Sequence, residues 1–158
     1  MLSQLTSLWQ VRQDILKQLR SLAKSDRYRE TVAILASAPG IGWFTALRLA
    51  LEWGDVSRFN RKEEFACFTG LIPSDNSTGD QERLGHITKQ GNRGVRSWLI
   101  ECSWVAIRYD PALLDKYQVV YHNSGSKKKA IVAVARKLAI RLRALLLTKQ
   151  CYVIGTMQ

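Results

Sequence analysis

Lysine and arginine number 24 against 13 acids in this 158-residue chain, which gives a formal charge of +11 and a pI near 10. The length fits one domain with an added arm, and 46% hydrophobic residues can build a real core. The charge excess points to a polyanion: DNA, RNA or an anionic membrane. No apolar run is long and charge-free enough to span a bilayer, and Met1 to Gln10 does not read as a secretory signal, so a cytoplasmic, nucleoid-associated location is expected, without a membrane partner.

Taken in order, residues 3–24 read as a first helix. Leu5, Leu8, Ile15, Leu19 and Leu22 step by three and four, a heptad seam with Arg12 in one core slot. Such a seam can pack on its own domain or on a second copy; a helical arm on a short chain favours the second, so residues 1–25 are read as a helical arm and a homo-oligomer is expected. Ser25-Asp26 is a good capping pair for a second helix over 26–38, with Tyr28, Val32 and Leu35 on one face. Ala38-Pro39-Gly40-Ile41-Gly42 then turns into an apolar helix from Trp43 to Trp53. Two glycines in a tight turn between helices resemble a helix-hairpin-helix element. Its second helix start can face a phosphate, which nominates Gly40, Ile41, Gly42 and the nearby Arg48 for DNA backbone contact. The plain alternative is a corner that only packs.

Asp55 to Asn60 is a connector with Phe59 turned to the core, and Arg61 to Thr69 is a short helix ended by Gly70. Gly70 to Arg96 is the least helix-like stretch. It holds a Pro, five Gly and a mixture of small polar and charged residues. A polar loop of this length in a helical chain tends to carry function. Leu71-Ile72 and Leu84 to Thr88 can pair as a hairpin around a tip of Ser77, Thr78 and Gly79. Asn92 caps a helix running to about Tyr109, whose apolar middle makes it the expected central core helix. Asp110 and Pro111 start another helix that ends near His122. The last helix runs from Lys127 to Leu147 and buries Ile131, Val134, Ala135, Leu138, Leu142 and Leu145. Lys129, Arg136 and Arg143 recur every seven residues, and Lys137 and Arg141 widen that face. No acid occurs from Lys127 to Lys149, which favours a nucleic-acid surface over a merely solvated one. The fold class is therefore mostly α: a body over 26–150 with a hairpin or irregular active loop, and a tail over 151–158.

Cys67, Cys102 and Cys151 are odd in number and far apart, and read as free thiols in apolar surroundings. There is no phosphate-binding glycine loop of the G-x-x-x-x-G-K-[ST] type and no zinc spacing, and nothing marks the carboxylates as a metal site. What remains is a hydroxyl on a glycine-hinged tip among cations. A serine can attack a phosphodiester and keep the bond energy in a phosphoserine link. Lys89, Arg93 and Arg96 would neutralise developing charge, and His86 could move a proton. Taken alone this pattern is weak, because loop serines are common.

Four stretches sharpen it: A-P-G-I-G-W-F-T-A, E-W-G-D-V-S-R-F, F-T-G-L-I-P-S-D-N-S-T-G-D and G-H-I-T-K-Q-G-N-R-G-V-R-S-W-L-I-E. In their order and spacing they resemble the C-terminal transposase domain of the IS110/IS116/IS902 insertion-sequence family, over roughly residues 31–147. The resemblance implies a DNA recombinase that works through a serine, with an acidic Mg²⁺-binding domain placed N-terminally and a guide RNA encoded by the element. It puts Ser77 on the family serine, Thr78 and Gly79 beside it, and Lys89, Gly91, Asn92 and Arg96 on a K-x-G-N-x-x-x-R pattern for phosphate contact and loop bracing. Intact members carry the acidic domain before this point. This chain is thus expected to hold no metal or other cofactor of its own and to exchange no strands alone. The rivals are a non-catalytic helix-hairpin-helix nucleic-acid module and a ribosome-associated RNA binder.

Overall fold

The computed structural model describes residues 2–75, 84–87 and 91–155. Seven helices and one short antiparallel strand pair make up these residues, so the chain is mostly α. The helices are α1 (Leu2–Lys24), α2 (Arg29–Ala36), α3 (Trp43–Trp53), α4 (Lys62–Phe68), α5 (Arg93–Ala106), α6 (Pro111–Ser124) and α7 (Lys127–Thr148). Between α4 and α5 lie strands β1 (Pro73–Asp75) and β2 (Leu84–Ile87), and a 3₁₀ turn over Val56–Arg58 precedes α4.

The helix at the centre is α7, not α5. It packs against α2, α4, α5, α6 and the 3₁₀ turn. Ala130, Val134, Ala135, Leu138, Ala139 and Leu142 on it are fully buried. The expectation for α5 rested on its apolar middle. That helix instead leaves Trp104 and Val105 at 37% and 39% exposure and buries only the stripe of Val95, Leu99, Cys102, Ser103 and Ala106. The small residues of α7 explain the exchange: Ala130, Ala135 and Ala139 let neighbouring helices approach closely, which bulky Trp98 and Trp104 do not.

Local starts and stops follow side-chain chemistry. Asp110 caps α6 by accepting from Ala112 N (2.9 Å), with Pro111 in the first turn, where its missing N–H costs nothing. Ser126 caps α7 through Lys129 N. Glu64 reaches back to the backbone N–H groups of Asn60 and Arg61 and so fixes the start of α4. The pair Ser25-Asp26 does not cap α2 as expected. The Ser25 hydroxyl donates to Leu22 O at 2.6 Å and closes α1 instead, and α2 begins behind Tyr28 with no side-chain cap.

Phe59 packs as expected. It stands edge-on to Phe65 (5.3 Å) and tilted on Phe68 (5.2 Å), while Trp53 meets Phe65 edge-on at 5.0 Å. Such aromatic pairs add roughly 0.5–1.5 kcal/mol each beyond their buried area. Cys102 is buried, and its thiol is pushed up to about 11 by desolvation and by the Glu101 charge. Cys67 and Cys151 are exposed, which corrects the apolar setting expected for all three.

Candidate nucleic-acid interface

The hairpin is held at its root by backbone contact. The C-terminus of α4 closes with Gly70 N donating to Cys67 O (2.9 Å) and Leu71 N to Ala66 O (3.3 Å), with Gly70 at φ +69°. Leu71 then drops into the core at 1% exposure. On the returning side Gly91 crosses Gly70 so closely that a Cβ on Gly91 would lie 2.3 Å from Gly70 N and 2.6 Å from Phe68 O. A Cβ on Gly70 would lie 2.7 Å from Nη1 of Arg96. The two ends of the loop therefore meet over the Arg96 guanidinium.

Asn92 locks the next step. Its Oδ1 accepts from Gly94 N (2.8 Å) and Val95 N (3.3 Å), which caps α5. Its Nδ2 donates to Glu52 Oε2 at 2.9 Å and ties α5 to the end of α3. Sequence reasoning missed Glu52. The only signal for it is that it sits in one of the resembling words. Arg93 is exposed in the first turn of α5. Arg96 is half-buried, and its Nη1 is buried with no hydrogen-bond partner among the described residues. A buried guanidinium nitrogen left unpaired is costly unless an acceptor arrives.

Gly91, Asn92, Arg93 and Arg96 are thus brought together at the hairpin root. Strand β1 pairs with β2 in the register Pro73↔Ile87 and Asp75↔Leu84, with an irregularity between. The pairing begins at Pro73 rather than at the expected Leu71. His86 lies in β2. Ser77, Thr78, Gly79 and Lys89 lie outside the described residues.

The glycine turn between α2 and α3 is used inwardly. Gly40 has φ +84°, and a Cβ there would lie 2.5 Å from Cys102 O, so the turn presses on the α5 backbone. Ile41 is 4% exposed, which removes its side chain from the expected DNA contacts. Gly42 is open, and α3 starts behind it with no side-chain cap. Arg48 lies 3.5 Å above the Trp98 ring centroid and 5.4 Å from that of Phe44.

The five α7 cations divide. Lys129 is exposed and Arg136 half-buried. Lys137 donates to Ala112 O at 3.4 Å. Arg143 donates to Phe59 O, and its Nε is buried without a partner among the described residues. Arg141 does not widen the basic face. It is 8% exposed and pairs with Asp110 Oδ2 at 2.9 Å. It also donates to the Tyr152 hydroxyl (2.7 Å), which in turn donates to Asp110. Desolvation would raise the Asp110 carboxyl, but the hydrogen bonds from Tyr152 and Ala112 and the Arg141 charge outweigh it and hold the group below its ordinary range. Arg141 sits four residues before the expected core residue Leu145, on the buried side of the helix. Its partner Tyr152 lies in the tail, where nothing in the sequence marked it.

Among the described residues only three ion pairs form: Lys62–Glu63, Arg141–Asp110 and Lys149–Glu30. Most of the described lysines and arginines therefore have no ion-pair partner among the described residues, and the fold is a helical body with a hairpin held at its root. Among the described residues no helix is long and apolar enough to cross a membrane.

Comparison with known proteins supplies the family. The model of the transposase IS116/IS110/IS902 family matches residues 32–118, and the chain belongs to that family. It is similar to the transposase for insertion sequence element IS1111A of Coxiella burnetii, at 32% identity over 90% of this chain and 39% of the relative. It is also similar to a probable family 20 transposase of Pseudomonas aeruginosa, at 34% over 75% of this chain and 36% of the relative. The transposase for insertion sequence element IS1328 of Yersinia enterocolitica is 32% identical over 80% of this chain and 38% of its own length. The chain thus spans about two fifths of the length of these relatives.

Proposed function

We propose that this chain is the serine-bearing, DNA-contacting part of an insertion-sequence recombinase. The observation that carries the reading is the hairpin root. Gly70 and Gly91 cross over Nη1 of Arg96, which has no partner among the described residues, and Arg93 stands exposed one turn away. A root of this kind gives a loop fixed ends and leaves guanidinium donors for a phosphate.

In the reaction proposed, Ser77 Oγ attacks the phosphorus of a phosphodiester. A serine–phosphate bond forms, the bond to one strand oxygen breaks, and that oxygen leaves as a hydroxyl. The serine proton passes to a base, for which His86 is the candidate. A strand hydroxyl then attacks the phosphoserine, releases Ser77 and restores a phosphodiester, so no external energy is consumed. Arg93, Arg96 and Lys89 neutralise the phosphorane, and Thr78 and Gly79 shape the tip. Lys129 and Arg136, with the open start of α3 at Gly42 and with Arg48, hold the flanking duplex.

Among the described residues no three His, Cys, Asp or Glu side chains converge on a metal-sized site, so these residues do not fit Mg²⁺ and no step is derived through it. In this reading the metal and its acidic ligands, and the guide RNA contacts that go with them, belong to sequence in the longer relatives beyond the matched stretch. The exposed seam of α1 joins two copies, one for each DNA end.

The test is covalent trapping on element-end DNA, resolved on a denaturing gel, with the chain supplied with the remaining family domain, Mg²⁺ and guide RNA. An adduct is expected with the parent chain and not with Ser77→Ala, while duplex binding persists in both. An adduct that survives Ser77→Ala would overturn the assignment. DNA binding with no adduct under any condition would favour the non-catalytic helix-hairpin-helix module, and salt-insensitive DNA binding beside tight RNA binding the RNA-binding reading.

A further inference from the structure

Arg48 of α3 and Trp98 of α5 meet across the seam between their helices, in the closest cation–ring contact among the described residues. The guanidinium carbon lies 3.5 Å from the Trp98 ring centroid, at van der Waals distance, and the Phe44 ring stands 5.4 Å away, one turn back on α3. Gly94 makes room for this contact. It precedes Trp98 by four residues, and a Cβ there would lie 3.1 Å from Cζ2 of the ring. A helical side chain covers the turn N-terminal to its own Cα, so the indole lies along the first turn of α5. Arg48 is thereby brought from α3 to the turn that Asn92 caps and exposed Arg93 opens.

The acid placed to neutralise Arg48 is engaged elsewhere. Glu52, one turn on along α3, accepts from Asn92 Nδ2 at 2.9 Å, and among the described residues no ion pair joins it to Arg48. Other arginines held on rings differ. Arg141, over the Tyr152 ring, is paired with Asp110. Arg58, over Phe59 and Phe68, has the Asp55 carboxylate within reach of its charge. Arg20 makes a looser contact, 5.1 Å from the Trp43 centroid. A guanidinium held against a ring spends none of its five N–H donors on that contact, and it has fewer rotamers to lose when an anion binds.

We infer that Trp98 is a positioning residue: its ring presents the Arg48 guanidinium to a backbone phosphate of a DNA duplex lying against the start of α5. The choice of DNA rests on the recombinase reading, and the inference deepens the part given there to Arg48. Bidentate hydrogen bonding to a phosphate needs a planar fork in a set orientation, which arginine supplies and lysine does not. The Trp98 ring sets that orientation before the DNA arrives, and cleavage plays no part in it.

The experiment is a double-mutant cycle on the full chain. It is read by fluorescence anisotropy with a labelled 12-base-pair DNA duplex, and with an RNA duplex of the same length, at three salt concentrations. The variants are Arg48→Gln, Trp98→Leu, the two combined, Trp98→Phe and Arg48→Lys, each checked by circular dichroism. Arg48→Gln is expected to bind DNA about tenfold weaker and to lower the slope against log salt by about 1. Trp98→Leu should bind about fivefold weaker at the parent slope, because no charge is removed, and should add less than about twofold once residue 48 is glutamine. Trp98→Phe keeps a ring face and should stay within about twofold of the parent. Arg48→Lys keeps the charge but not the fork, and should bind about fivefold weaker at the parent slope. The inference is overturned if Trp98→Leu weakens binding equally with and without Arg48, as a purely structural loss would. It is also overturned if Trp98→Leu or Arg48→Lys binds like the parent, or if the coupling appears on RNA and not on DNA. Should Trp98→Leu fail to fold, Arg48→Lys and Trp98→Phe decide the matter alone. A parent chain that binds no DNA duplex would remove the DNA-contacting reading and the inference with it. Loss of Ser77-dependent cleavage would leave the cycle unchanged, so the two readings fail separately.

Discussion

At Gly91 one methyl group decides whether the hairpin closes. The Cβ would lie 2.3 Å from Gly70 N and 2.6 Å from Phe68 O, and both neighbours are backbone that cannot rotate aside. Gly91→Ala is expected to cost about 1–3 kcal/mol, read as a lower urea midpoint, because overpacking against backbone is relieved only by moving it. The strain concentrates at the loop root, so limited proteolysis should also open first at the loop. An unchanged midpoint would mean that the crossing relaxes freely and that Arg96 is not held beneath it. Gly91 was legible in the sequence only through the resemblance. Spacing alone offers no sign that two glycines 21 positions apart touch, because nothing local distinguishes a crossing glycine from a turn glycine.

At the scale of the helix, α7 is where the pattern of charges and the fold part company. Five cations read as one basic face, but a helix packed by neighbours on most sides assigns them separate tasks. Lys129 is exposed, whereas Arg143 is tied to Phe59 O and Arg141 to Asp110 and Tyr152. Lys129→Gln should therefore lower the salt slope of DNA binding by about 1 and leave the urea midpoint alone. Arg141→Met should do the reverse. It leaves the Asp110 carboxylate buried at 0% exposure without its cation, a loss of about 3–5 kcal/mol. The sign of the pH effect follows from the Asp110 shift. Its folded pKa lies below the ordinary 3.8, so its contribution is fully present above that value and is lost as pH falls through the lower folded pKa. Urea midpoints below pH 3.8 should accordingly drop more steeply in the parent than in Asp110→Asn, and parallel curves would remove Asp110 from the account. The helices themselves were readable from apolar spacing, and Asp110, Asn92 and Pro111 marked two starts correctly. What the sequence could not rank was centrality. Bulky apolar residues pointed to α5, while close approach by alanines made α7 the core. Ser25 failed as a cap for a similar reason, since its hydroxyl had two carbonyl and amide choices and took the one behind it.

On the scale of the whole molecule, the seam of α1 is an unfinished surface. Leu19 and Ala23 pack on the body, and Arg20 sits 5.1 Å over the Trp43 ring, so the C-terminal half of the helix is anchored. Ahead of them Leu5, Leu8 and Ile15 stay 60%, 67% and 50% exposed on the same heptad stripe, with Trp9 at 58% beside it. A 23-residue helix spans about 34 Å, and its N-terminal half leaves Leu5, Leu8, Trp9 and Val11 exposed, although helices with so little burial are marginal in water. Pairing with the same seam of a second copy would bury these residues at roughly 1.5–3 kcal/mol per leucine or isoleucine, enough to stabilise both the helix and the dimer. The parent chain is expected to run as a dimer in light scattering, and replacing Leu8 and Ile15 together by Glu to leave a monomer. The unfolding midpoint of the body should hold, because both side chains lie outside its hydrophobic core. A parent chain that is already monomeric at high concentration would remove the pairing. A midpoint that falls with the dimer would mean instead that the body depends on its partner for stability, as obligate dimers do.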